Sequence, residues 1–524
     1  MKKVVILAVN ARYIHSTLAV WLLSQCVAQF ARLPNDVEVV EANINQTNDE
    51  ISELVAVHNP DVVGISTYIW NAEKLPNVMK KLRELMPEVV FVLGGPEAAH
   101  NAEYWLDGDA NYVLKGEGEH SFARLLDELA GAAPSEIAPN DGFIDPFTET
   151  YITALKGKIA YIETSRGCPF RCAFCLSGED AVRLFPMDAV KRQLNKLAHA
   201  DVRIIKFVDR TFNANPTRSY ELIEYIINLD TPNRFHIEVA ADLFDERTLE
   251  LLATAPPGKI QIEAGLQSFF APALEASTRQ TDLAKAVKNL KMLLQGGNIH
   301  IHVDLIAGLP HETLDNFMDS FDAAYAIGAH TLQLGFLKML HGSAMRENER
   351  SIVFNEEPPY EIISSPWMSL EDLKLLKQTE NALQSTYNKG RFLATLQYVL
   401  SATGLRPFAL YHAVGETVPK NSMPLEDYAL QIYKLFVKLP DVAPDILMGR
   451  MICDWMGMVK GVNMPVFMKI GDKKQLAHVV IMAETTLQRK IRRNEAAILP
   501  SGKAVFVDSQ TRDLVTGLYK LNFF

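Results

Sequence analysis

Ser165-Arg166-Gly167-Cys168-Pro169-Phe170-Arg171-Cys172-Ala173-Phe174-Cys175 carries the spacing C-x3-C-x2-C, which places three of the chain's five cysteines within eight residues. Such crowding makes a poor disulfide framework and a good set of metal ligands in a reducing compartment. Three thiolates on one loop can hold three corners of a [4Fe-4S] cube and leave the fourth iron open to a small molecule. Zinc uses similar spacings, but a tetrahedral structural site needs a fourth ligand. The remaining cysteines do not fit that role. Cys26 lies in an apolar helical pattern and Cys453 among Met451, Ile452, Trp455 and Met456, so both read as core residues.

Outward from this loop the chain reads as α/β. The loop follows the apolar strand Ile159–Glu163, and further strands are expected at Ile204–Val208, Phe235–Val239, Ile260–Leu266, Ile299–Ile306 and Thr331–Leu337. Six strands with helices between them imply a partial (β/α)6 barrel over residues 158–345, with functional residues at the strand C-termini. Upstream, residues 1–130 alternate strands at Val4–Val9, Val37–Val40, Val62–Ser66, Val89–Leu93 and Tyr112–Leu114 with helical stretches such as Thr17–Phe30 and Glu73–Met86. That pattern predicts a doubly wound, Rossmann-like parallel sheet whose ligand crevice lies at the strands' carboxyl ends. Those ends carry Asn10–His15, Ser66-Thr67-Tyr68, Gly94-Gly95-Pro96-Glu97 and Gly116-Glu117-Gly118-Glu119. The two glycine-rich ones allow close backbone approach to a large ligand. Residues 131–157, rich in Ala-Pro and Asp-Pro steps, read as a linker, and 346–524 as a mostly helical domain (Leu370–Tyr387, Leu425–Leu439).

Composition narrows the function classes. A length of 524 residues, 48 % of them apolar, suits two to four domains with sizeable cores. The formal charge of -11 argues against a broad nucleic-acid surface. The run Arg489, Lys490, Arg492 and Arg493 reads as a solvated helix face rather than a local groove. Met1-Lys2-Lys3 before VVILAVN looks like the start of a signal peptide, yet it lacks a long apolar core and a cleavage site, so a buried first strand is expected. No apolar run of membrane-spanning length is present, and a cytoplasmic location is expected.

The cysteine motif, with the aromatic Phe174 before its last Cys and a strand before its first, resembles the radical S-adenosylmethionine (SAM) superfamily. There the open iron chelates SAM, and reductive cleavage gives methionine and a 5'-deoxyadenosyl radical. Other segments are similar to the SAM-contacting strands of the subgroup that includes oxygen-independent coproporphyrinogen dehydrogenases. These are Glu238 at the end of its strand, Gln267 and Ser268 with Arg279 twelve residues after Gln267, and Asp304 opening Asp304-Leu305-Ile306-Ala307-Gly308. The resemblance implies Glu238 for the SAM amino group or ribose, Gln267 for the ribose and Arg279 for the methionine carboxylate, charges that match. Intra-barrel ion pairs are the bland alternative, and Asp304 could simply orient a neighbour. The family's glycine-rich turn after the second strand is replaced by Phe207-Val208-Asp209-Arg210-Thr211-Phe212. Asp209 there either supplies a carboxylate to SAM or caps the turn.

An α/β domain ahead of such a barrel resembles the cobalamin-binding class of the superfamily, with Ser66, Thr67, Tyr68, Gly94, Gly95, Pro96, Glu97, Gly116, Glu117 and Gly118 as its contacts. The Asp-x-His-x-x-Gly loop that supplies a histidine to cobalt is missing, so base-off cobalamin without a histidine ligand is implied. Tyr68 or Trp70 then covers its lower face, or merely packs; His100 and His120 read as helix-start residues. The stretch from Pro358 to Glu371 resembles an uncharacterised helical domain found behind some of these proteins. The implied activity is methylation of an unactivated carbon through methylcobalamin. The alternatives are cyclisation, rearrangement or oxidation with the same cofactors, and a non-catalytic cobalamin or redox sensor. A small-molecule or peptide substrate and a flavodoxin- or ferredoxin-type electron donor are the implied partners.

Overall fold

A computed structural model describes residues 2–133, 143–178, 181–418, 423–458 and 463–524. The chain forms two compact units that do not follow chain order. The first comprises Met1–Ala240, Ser277–Gln280 and Leu337–Ile363; the second comprises Ala241–Ala276, Thr281–Phe336 and Ser364–Phe524.

The first unit opens with strands β1 (Lys2–Asn10), β2 (Asn35–Asn43), β3 (Val62–Ser66), β4 (Val90–Gly94) and β5 (Tyr112–Val113), all parallel in the order β2-β1-β3-β4-β5. Val4 to Val9 and all of β3 are buried, as strands covered by helices on both faces must be. Ile51, Val55, Val78 and Leu82 of the intervening helices pack onto Leu7, Val63 and Phe91. The strand order reverses between β1 and β3, which places the crevice beside the loops after those strands.

The same unit holds β6 (Ile159–Ile162), a short antiparallel ribbon of β7 (Ser165–Arg166) and β8 (Arg183–Leu184), then β9 (Ile204–Phe207) and β10 (Arg234–Val239). Strand β9 pairs in parallel with β6 on one side and β10 on the other. In the stretch expected as linker, residues 134–142 lie outside the described residues. The rest departs from expectation: Glu149–Ala154 forms a helix capped by the Thr148 hydroxyl, and buried Tyr151 stacks on Trp21 with centroids 4.5 Å apart. One capped turn with a large aromatic outweighs the turn-rich composition around it.

The second unit contributes β11 (Ile260–Gln267), β12 (His300–Ala307) and β13 (Thr331–Phe336), parallel in chain order. Residues of β11 and β12 alternate between buried and half-buried, so one face of each packs under helices and the other carries Glu263, Gln267, His302 and Asp304. The six barrel strands are thus divided three to each unit. Helices from Leu370–Ser385 to Lys473–Leu487 follow, as expected, but the chain then adds an antiparallel sheet of Ala496–Ile498, Ala504–Arg512 and Tyr519–Phe523. No helix among the described residues is long and apolar enough to cross a membrane.

Candidate active site

The cysteine loop hangs from the end of β6 and is anchored by Asp209 at the end of β9. The Asp209 carboxylate accepts hydrogen bonds from the Thr164 amide (3.0 Å), the Thr164 hydroxyl (2.6 Å) and the Ser165 hydroxyl (2.5 Å). The group is buried and its acceptors are engaged by the chain, so of the two expected roles the structural one is occupied. Burial pushes its pKa up, against the pull of those three bonds. Gly178 closes the loop: a Cβ there would lie 2.4 Å from the Phe170 carbonyl oxygen.

Each cysteine has its own surroundings. Cys168 Sγ lies 3.4 Å from the Thr211 hydroxyl, and Cys172 Sγ lies 3.5 Å from Nη1 of Arg279. The exposed Cys175 accepts from the Ser177 amide at 3.4 Å. Burial lifts the Cys172 thiol, and Arg279 opposes that shift. None of the five cysteines is in a disulfide. Among the described residues no three His, Cys, Asp or Glu converge tightly enough to hold a single metal ion. The donor set fits a cluster whose irons are separate centres, each taking one thiolate, better than it fits mononuclear zinc. Arg279 is fixed by stacking over Phe170 at 5.4 Å, while the neighbouring Ser277 carbonyl accepts from the Ala173 amide at 2.9 Å.

Phe174 and Cys175 open onto a cavity of about 840 Å³, lined within the first unit also by the loops after β1, β3 and β4 and by Glu238. Lys206 Nζ lies 3.1 Å from Glu238 Oε1. Beyond β3, Thr67 donates to the Gly94 carbonyl oxygen from both its amide (2.7 Å) and its hydroxyl (2.8 Å), and that hydroxyl accepts from the Ala98 amide. Gly95 has φ +99°, and a Cβ on it would lie 2.5 Å from the Thr67 carbonyl oxygen. Ser66 donates to the Leu7 carbonyl oxygen at 3.4 Å. Tyr68 and Trp70 stack at 4.3 Å and 6°, and the Trp70 indole donates to the Val9 carbonyl oxygen. Burial raises the Tyr68 phenol to about 12, so it stays neutral at physiological pH.

Two candidates are already engaged. Glu97, beside Pro96 on the cavity wall, accepts the Tyr360 hydroxyl. Glu117, between Gly116 and Gly118, pairs with Arg166 (2.8 Å) and Arg183 (2.7 Å). Arg166 also pairs with Glu119 and Glu163, tying the β5 loop to the cysteine loop. A smaller cavity of about 370 Å³ shares Glu119, Glu163 and Arg166 with the first and is lined also by Phe143, Phe147 and Phe185. Composition and motif signals gave no hint of Arg166, because its role rests on contacts up to 49 residues away.

In the second unit Gln267 ends β11 with φ +70°, and its amide folds back over Gly265, where a Cβ would meet Nε2 at 2.2 Å. Asp304 stands opposite Gly265 in the β11–β12 register. Ser268 is buried and donates to Glu312 at 2.6 Å, so its hydroxyl serves the turn.

Three family models match the chain: B12 binding domain over residues 4–126, Radical SAM superfamily over 162–324, and a protein of unknown function (DUF4080) over 348–504. The 2-(S-pantetheinyl)-carbapenam-3-carboxylate methyltransferase of Streptantibioticus cattleyicolor is 25 % identical over 326 residues, covering 54 % of this chain and 47 % of that protein. The hopanoid C-3 methylase of Methylococcus capsulatus is 24 % identical over 302 residues, covering 53 % and 58 %. The chain thus spans about half the length of the curated relatives it matches. Among solved structures, cobalamin-dependent SAM radical enzyme OxsB superposes with TM-score 0.59 at 13 % identity, over 94 % of this chain and 82 % of that one. Methyltransferase TsrM from Kitasatospora setae, solved with cobalamin and a [4Fe-4S] cluster, gives 0.53 at 16 % identity, over 69 % and 79 %. At these identities the likeness is one of fold.

Proposed function

We infer that this chain, in which a B12-binding domain and a radical SAM domain precede a domain of unknown function, is an enzyme that methylates an unactivated carbon of a small molecule or peptide. One observation carries the reading: the cysteine loop and the loops after β1, β3 and β4 open onto the same cavity in the first unit. The matched models at 4–126, 162–324 and 348–504 support a division into 1–130, a linker to 157, a barrel to 345 and a C-terminal domain.

Bound here, the cluster with SAM would supply hydrogen-atom abstraction and cobalamin the methyl group. Cys168, Cys172 and Cys175 would hold the cluster, with Thr211, Arg279 and the Ser177 amide donating towards their sulfurs. Arg279, already against Cys172, would take the methionine carboxylate of SAM, and Glu238 its ammonium or ribose. Phe174 would line the cavity beside the cluster. Ser268 and Asp209 would serve by holding their turns. Ser66, Thr67, Gly94, Gly95, Pro96, Gly116 and Gly118 would present the backbone cradle for cobalamin. The neutral Tyr68 and the Trp70 stacked on it would form an apolar floor without an ionised cobalt ligand. Free thiols suit a reducing compartment, the cytoplasm, and a flavodoxin- or ferredoxin-type donor would deliver electrons.

The test is anaerobic reconstitution with iron, sulfide and hydroxocobalamin, followed by turnover with dithionite as reductant and SAM labelled in its methyl group. The expected result is 5'-deoxyadenosine and S-adenosylhomocysteine together, with label in a product other than methionine and methylcobalamin. Substrate-dependent 5'-deoxyadenosine with no transferred label would overturn methylation. It would favour chemistry of the kind named for another relative, the anaerobic magnesium-protoporphyrin IX monomethyl ester cyclase of Rubrivivax gelatinosus, 25 % identical over 336 residues.

A further inference from the structure

Among the described residues, one cation on the cavity wall has neither a hydrogen-bond nor an ion-pair partner. Arg210 lines the cavity, is exposed, and makes no hydrogen bond or ion pair among the described residues. Other cationic side chains on the same wall are neutralised: Lys206 by Glu238, and Arg166 by Glu117, Glu119 and Glu163.

The backbone that carries Arg210 is fixed on both sides. Asp209 before it is buried under three hydrogen bonds. Thr211 after it is buried against Cys168, and the Phe212 amide donates to the Glu238 carbonyl oxygen at 2.8 Å. Asn213 then exchanges two hydrogen bonds with the main chain of Ala240, at 2.8 and 3.0 Å. From Asp209 to Asn213, Arg210 is the exposed residue among four buried ones. A guanidinium held out from a rigid turn loses less freedom on binding than one on a mobile loop, and its planar fork matches an oxyanion.

On the reading above, the SAM carboxylate goes to Arg279 and its ammonium or ribose to Glu238, which leaves Arg210 without a role in holding SAM. We propose that Arg210 holds an oxyanion of the substrate, a carboxylate or a phosphate, within the cavity. This rests on the assignment of the cavity to the radical SAM reaction, and it directs the search for the substrate towards acidic metabolites.

Phenylglyoxal labelling with peptide mass mapping tests it on the full chain. The reagent attacks guanidinium groups that are exposed and unpaired. The unloaded chain, the chain reconstituted with cluster and hydroxocobalamin, and the chain reconstituted with cluster and saturated with SAM are each labelled alone; the chain loaded with all three is labelled alone, with acetate or with inorganic phosphate. Labelling of Arg210 in the loaded chain, slowed several-fold by one of the two anions, is the expected result, and the protecting anion tells carboxylate from phosphate. The labelled site must vanish in Arg210→Gln. Full protection by SAM or cobalamin alone would overturn the proposal, because Arg210 would then be a cofactor group. Equal labelling with and without both anions would overturn it as well. Iron content and cobalamin absorbance of each sample report separately on cofactor loading. If loading fails, the anion arms still report on Arg210 in the folded chain.

Discussion

Glu312 sits in surroundings that disfavour its charged form. It is fully buried in the second unit, where Ser268 and Ser320 donate to Oε1 at 2.6 and 2.9 Å, while Oε2 has no partner among the described residues. Burial raises its carboxyl to about 7, against the pull of both serines. The folded chain therefore holds this proton more tightly than the unfolded one. Stability from the group is full below the ordinary carboxylate pKa and is lost as pH rises towards 7. Between pH 6 and 8.5 the loss should be about 1 kcal/mol. Glu312→Gln should flatten that dependence in urea unfolding of the full chain followed at both pH values; an unchanged slope would remove Glu312 as its source. Residues of this kind were not legible in the sequence, because no motif marks a carboxylate whose partners lie 8 and 44 residues away. Asp209 was legible as a departure from a family pattern. The bonds from Thr164 and Ser165 favour the structural one of its two expected roles.

The elements of the first unit depend on turns as much as on strands. The parallel sheet and barrel strands were legible from their apolar runs, and the observed bounds differ from expectation by at most three residues. The C-terminal sheet was not. Ala496–Ile498 is too short to show a period, and Ala504–Arg512 ends in polar residues that read as loop. What the sequence could not show at any strand end is how closely neighbouring loops approach. Gly95 is the clearest instance, since its positive φ and the nearby Thr67 carbonyl each exclude a side chain. Gly95→Ala should cost about 1–3 kcal/mol of local strain and part the β3 and β4 loops. The expected outcome is a several-fold loss of cobalamin retained through gel filtration, with iron content unchanged. Full retention would show that these two loops do not form the cradle.

Across the whole chain, folding does not respect the order in which the domains are written. Leu337–Ile363 belongs to the first unit, although residues from 348 onwards match a family model separate from the barrel's. The return is secured by Tyr360, whose hydroxyl bonds to Glu97, 263 residues earlier, while the Met339 amide donates to the Tyr360 carbonyl oxygen at 2.9 Å. His341 packs edge-on against the Tyr360 ring at 4.9 Å and, with Leu340, lines the same cavity as Glu97. Burial raises the Glu97 carboxyl and the Tyr360 hydrogen bond opposes that rise, so the contact helps to keep a buried acid ionised. Tyr360→Phe removes that donor and strands the acid, at a cost of about 1–3 kcal/mol. In a Glu97→Gln background the same change should cost less, because an amide left without the hydroxyl is not a buried charge. A double-mutant cycle read by urea unfolding, with cobalamin retention measured on each variant, separates the cases. Equal losses in both backgrounds would mean that Tyr360 acts through ring packing alone. A coupling between the two sites would make the first residues of the uncharacterised domain part of the cobalamin pocket's own wall.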